Sequence, residues 1–98
     1  MNLPLTSAAE ADLTEAMLWY EAKQPGLGIR LVDVVEQVLR DLADSPEQGR
    51  LEGDDPPVRS VPTPVFPYRV YYAYSAARWK VFAIYHTSRE PDGWRGRL

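Results

Sequence analysis

The spacing of the apolar residues changes once along this chain, and that change limits the fold more than any other feature. Up to Leu42 they recur every three or four positions, as on a helix lying over a core. From Tyr68 they recur at every second position, as on a strand. The two patterns occupy successive parts of the chain instead of alternating. That order predicts an α+β domain, with an N-terminal helical hairpin packed on a small, mostly antiparallel sheet. Ninety-eight residues hold a single modest core, so one domain is expected over 1–98.

Ala9, Leu13, Ala16, Met17 and Tyr20 form one stripe and predict a helix to about Lys23. Ser7-Ala8-Ala9-Glu10 reads as its capping box, with Ser7 as the N-cap and Glu10 reaching back. Gln24-Pro25-Gly26 ends it, because proline cannot continue a helix and glycine accepts left-handed torsions. Leu27, Leu31, Val34, Val35, Val38 and Leu42 predict a second helix over roughly 27–43, antiparallel to the first across a short connection. Ahead of both, residues 2–6 (NLPLT) read as a short edge strand, since Pro4 has no N–H for a central ladder. Behind them, residues 45–57 read as a polar loop rich in proline, glycine and aspartate.

Residues 58–61 (VRSV) predict a short strand, interrupted by Pro62, Pro64 and Pro67. In 68–74, Tyr68, Val70, Tyr72 and Tyr74 fall on one face, with Arg69, Tyr71 and Ala73 on the other. After a turn at 75–78, Trp79, Val81, Ala83 and Tyr85 oppose Lys80, Phe82, Ile84 and His86. The two runs form a β-hairpin, and the second, apolar on both faces, is expected to be central. The order is β-α-α-β-β-β. Residues 87–98, with Pro91, Gly93 and Gly96, read as an extended tail.

The absence of cysteine excludes disulfides and thiolate chemistry, and one histidine argues against a structural zinc site, so no cofactor is expected. No apolar stretch is long enough to span a bilayer, and MNLPLTSAAEADL lacks the basic start of a signal peptide; a cytoplasmic protein is expected. The net charge of −3 hides a division. Residues 1–56 carry four basic and twelve acidic side chains, a formal −8, whereas residues 57–98 carry seven and two, a formal +5. Such a split suggests two faces with different partners.

Several short motifs stand in a fixed order: Ala9, Asp12 and Leu13 in the first helix, Trp19-Tyr20-Glu21 at its end, and Leu27-Gly28 opening the second. Phe66-Pro67-Tyr68-Arg69-Val70 then enters a strand, and His86, Arg89 and Pro91 follow the last one. In this order they resemble the RelE/ParE superfamily of bacterial type II toxins, closest to the ParE branch, the plasmid stabilisation proteins. The resemblance implies a toxin neutralised by a cognate ParD-like antitoxin in a hetero-oligomer, with operator DNA bound only through the antitoxin. ParE-type members inhibit DNA gyrase and RelE-type members cleave mRNA on the ribosome. A third alternative is a member without toxicity that only binds its partner.

For the ribonuclease alternative the candidate catalytic residues are Arg59, Arg69, His86 and Arg89. This chain has only Arg59 where RelE-type enzymes place paired lysines. Its nearest C-terminal aromatic is Trp94, whose indole N–H donates but cannot act as a base. The gyrase-directed reading is therefore preferred, with Arg69, His86, Arg89, Trp94, Arg95 and Arg97 as the target-binding face.

Overall fold

The computed structural model describes residues 4–54, 56–75, 78–90 and 92–98. Helix α1 (Ser7–Lys23) buries Ala9, Leu13 and Ala16, and α2 (Leu27–Asp44) buries Leu31, Val35, Val38, Leu39 and Leu42. The N-cap of α1 lies one residue earlier than the sequence suggests. Thr6 is extended, its Oγ1 accepts from the Ala9 amide at 3.2 Å, and Ser7 is already helical. Threonine and serine both serve as N-caps, so the frame was set by the backbone ahead of the helix. There the Thr6 amide donates to the Val81 carbonyl at 2.9 Å, holding Thr6 extended.

The turn between the helices explains two of the motifs. Gly26 has φ +90°, open to glycine at no steric cost. Gly28 lies so close to α1 that a Cβ there would overlap the Met17 carbonyl oxygen. Glu21 closes the corner: its two carboxylate oxygens accept from the Gly26 amide at 2.8 Å and the Gly28 amide at 3.0 Å. A carboxylate from α1 thus satisfies free amides at the positive end of α2.

After a 3₁₀ turn (Pro46–Gln48) come four antiparallel strands in the order β1-β2-β3-β4: β1 Arg50–Asp54, β2 Pro57–Pro62, β3 Tyr68–Ser75 and β4 Arg78–His86. The segment read as a loop thus contains both a 3₁₀ turn and strand β1. Asp55, Ala76 and Ala77, parts of the expected loop and hairpin turn, lie outside the described residues. One end of this segment is fixed by the Tyr72 hydroxyl, which accepts from the Gly49 amide at 3.1 Å and donates to the Pro46 carbonyl at 2.5 Å.

One face of the sheet packs on the helices through Val70, Tyr72, Val81 and Ile84. The other carries Val58, Tyr71, Phe82, Ala83, Tyr85 and Trp94. The expected alternation of β4 therefore fails midway. Tyr71 pairs with Ala83 and Tyr72 with Val81, which leaves Phe82 as one extra residue in β4. This β-bulge puts Trp79 and Val81 on the helix side but Ala83 and Tyr85 on the opposite side.

Nor is β4 central in the antiparallel order; it ends the row. Its apolar faces are covered by α1 on one side and by Trp94 on the other. Its outer edge is partly closed as well. Val81 exchanges backbone hydrogen bonds with Pro4 and Thr6 in a parallel bridge centred on Leu5. This bridge is what the described residues show of the expected first strand; Asn2 and Leu3 lie outside them. Further along, the Ile84 amide donates to Asp12 at 3.0 Å and the Phe82 carbonyl accepts from Arg97 at 3.0 Å.

Candidate functional site

Two surfaces carry the side chains that the sequence singled out, and the sheet separates them. On the helix side, α1 and the ends of β3 and β4 enclose a cleft of about 290 Å³. Asp12, Glu15, Ala16, Trp19 and Tyr20 form its α1 wall, facing Tyr68, Ile84, His86 and Arg89. His86 reaches this side because it pairs with Tyr68 in register, and the two rings meet edge to face at 5.4 Å. The Ser88 amide donates to His86 Nδ1 at 3.0 Å, so that nitrogen is the acceptor. Burial pushes the Tyr68 phenol up, with Tyr20 and Glu15 adding to the effect. Beside the cleft the hairpin exposes Leu18, Trp19 and Ile29, each more than half accessible, with the Lys23 ammonium 4.8 Å from the Trp19 ring.

The helix-free face is held differently. Arg69 donates through Nε to Ser60 Oγ at 3.0 Å and through Nη2 to the Ser60 carbonyl at 3.3 Å. Ser60 Oγ in turn donates to Glu52, which also accepts from Arg50 at 3.0 Å. Burial alone would raise the Glu52 carboxyl, but hydrogen bonds from Arg50 and Ser60 and the charges of Arg50 and Arg69 outweigh it and hold the group below its usual range. Tyr71 is pushed up by burial first and by the Glu52 charge second. The Arg89 guanidinium lies 4.0 Å from the Tyr85 ring and that of Arg97 4.9 Å from the same ring.

The residues expected to form one target-binding face are therefore divided. Arg69 and Arg95 belong to the helix-free face, His86 to the cleft, and Arg89 bridges the two, lining the cleft while stacking on Tyr85. Trp94 is not an exposed contact residue: it is 2% accessible, stacked on Tyr71 and edge-on to Phe82. A large apolar ring gains more from burial against the sheet than a tail gains from remaining free. The expected extended tail accordingly closes into a 3₁₀ segment, Gly93–Arg97, and Arg97 is bound to Asp12 at 2.6 and 2.9 Å. The four catalytic candidates of the ribonuclease reading do not converge either. Arg59, the partner of Tyr72, turns to the helix side and donates to the carbonyls of Glu47 and Gly49, whereas Arg69 faces away from it.

Sequence reasoning missed Asp12 as the partner of Arg97, and Glu52 and Ser60 as supports of Arg69. Asp12 had a signal, since it lies three residues after Ala9 at the border of the apolar stripe, where a carboxylate needs a partner. Glu52 and Ser60 had none, because their meeting depends on the pairing of β1 with β2.

The family described as ParE toxin of type II toxin-antitoxin system, parDE, matches residues 3–91. The chain belongs to that family. Among solved structures it is similar to one from the chromosomal ParDE TA system from P. aeruginosa, with a TM-score of 0.73 and 20% identity over 88% of this chain and 95% of that chain. At that identity the likeness is one of fold, and it agrees with the α+β architecture expected from the sequence. No curated protein matches the chain. Among the described residues, no helix of this ParE-family toxin is long and apolar enough to cross a membrane.

Proposed function

We propose that this ParE-family toxin inhibits DNA gyrase in the cytoplasm and is silenced by a ParD-like antitoxin in a hetero-oligomer. Family membership supports the toxin role. The observation that favours gyrase over mRNA cleavage is the division of the catalytic candidates between opposite faces of the sheet. Cleavage of RNA without a metal needs a base, an acid and a cation around one phosphate. Arg59 and His86 lie on the helix side and Arg69 on the other, so they do not surround one phosphate. Arg69, Arg89 and Arg95 are then the basic groups left to meet the target, with Trp94 as the support beneath Arg95. The exposed Leu18, Trp19 and Ile29 of the hairpin offer the antitoxin an apolar surface for an amphipathic segment.

The test is expression of the chain alone in a bacterial host, with DNA and protein synthesis labelled in separate pulses. DNA synthesis is expected to stop first, with a damage response, and co-expression of the operon neighbour is expected to restore growth. Early loss of protein synthesis with cleaved mRNA would replace this reading with the ribosomal one. Normal growth in all cultures would leave a member that only binds its partner.

A further inference from the structure

The cleft between α1 and the ends of β3 and β4 holds two charges that the fold does not use. Of its two carboxylates, Asp12 is committed, since its oxygens accept from both terminal nitrogens of Arg97 and from the Ile84 amide. Glu15 is exposed and, among the described residues, has no basic group within ion-pair distance. Arg89 has no carboxylate within that distance either, and its guanidinium rests on the Tyr85 ring at 4.0 Å. Both side chains line the cleft. With Asp12 neutralised by Arg97, the cleft presents one negative and one positive charge. Its walls add a row of rings: Trp19, Tyr20, Tyr68 and His86 each meet the next edge to face, at 4.9, 6.3 and 5.4 Å. Ala16 is the one small side chain on the α1 wall, and it leaves room beside that row. The Ser88 amide occupies His86 Nδ1, so a neutral imidazole carries its proton on Nε2 and can donate it.

We infer that this cleft binds a free aromatic amino acid in its zwitterionic form, with the ammonium on Glu15, the carboxylate on Arg89 and the ring among the aromatic side chains. Charge selects this class. A simple anion is attracted by Arg89 and repelled by Glu15, and a simple cation meets the reverse, whereas a zwitterion satisfies both. The row of rings favours an aromatic side chain, which can add another edge-to-face contact. The cleft, at about 290 Å³, lies at the lower end of the range for small-molecule sites, which suits a ligand of this size. The assignment stands whether the toxin acts on gyrase or on the ribosome.

The experiment titrates the full chain at neutral pH with four probes: L-phenylalanine, phenethylamine (no carboxylate), hydrocinnamate (no ammonium) and L-alanine (no ring). Binding is followed by NMR through the imidazole C–H signals of the only histidine and the Trp19 indole N–H. L-Phenylalanine is expected to shift both with a Kd of about 1 mM or below, the scale for a ligand of about a dozen heavy atoms. Each of the other probes is expected to bind about tenfold more weakly, because it leaves one feature of the site without a partner. Glu15→Gln is expected to abolish the preference for phenylalanine over hydrocinnamate while keeping that over phenethylamine. Arg89→Gln is expected to do the opposite. Both residues are exposed, and the preference that each variant keeps shows that it is folded. Equal binding of phenylalanine, phenethylamine and hydrocinnamate overturns the assignment, as does a variant in which both preferences survive. No shift of either signal by about 10 mM L-phenylalanine overturns it as well.

Discussion

The Tyr72 hydroxyl ties residues 46 and 49 to the middle of the sheet with two hydrogen bonds, and the residue is fully buried. Tyr72→Phe keeps the ring and strands both backbone partners. It is expected to cost about 1–3 kcal/mol, read as a lower urea midpoint at unchanged slope. Glu52 gives a pH signature. Its folded pKa lies below the ordinary glutamate value of about 4.3, so its contribution to stability is present above that value and is lost as pH falls through the folded pKa. Glu52→Gln is therefore expected to flatten the acid limb of a stability curve measured by urea unfolding below pH 5 or so. Residue by residue, the helical positions were legible because burial repeats with the helix: Ala9, Leu13, Ala16, Leu31, Val35, Val38 and Leu42 are all buried. Arg69, Arg89 and His86 were legible as residues of interest, but not as members of different surfaces.

Among the elements, the C-terminal segment departs furthest from its sequence. Glycine and proline spacing suggests a free tail, yet Trp94 is among the most deeply buried side chains. Trp94→Ala is expected to cost about 3–5 kcal/mol, a core-sized loss from a residue near the chain's end, and thermal unfolding measures it. A mutation confined to a free tail would leave the midpoint unchanged. The Asp12–Arg97 pair fastens the same segment, since Asp12 also accepts from the Ile84 amide and Arg97 also donates to the Phe82 carbonyl. In a double-mutant cycle of Asp12→Asn and Arg97→Gln, the coupling is expected to be about 1–3 kcal/mol, above that of an exposed ion pair. Strand β1 escaped notice because Arg50-Leu51-Glu52-Gly53-Asp54 has one apolar residue and no alternation. It is a strand because β2 lies beside it, a relation that no local pattern records.

At the scale of the whole molecule, the sheet is the partition on which the two chemistries are hung. Helices and cleft occupy one side, and the arginine-capped aromatic layer occupies the other. Three phenols of the sheet, Tyr68, Tyr71 and Tyr72, are all pushed above the usual tyrosine range, chiefly by burial. Their neutral forms stabilise the fold below pH 10 or so, and that contribution is lost as pH rises through the raised values. Alkaline titration followed by circular dichroism is expected to show unfolding beginning above pH 10 or so, together with tyrosinate absorbance and not after it. The extra residue in β4 has a consequence for how such a chain can change its length. Between Val81 and Ile84 the strand already holds one residue without a partner, so deleting Phe82 would leave His86 opposite Tyr68, over the helices. A deletion at Tyr85 would instead move the imidazole to the place opposite Arg69, across the sheet. A gap of one residue thus keeps the histidine on its own surface at one point of this strand and, three residues later, moves it to the opposite one.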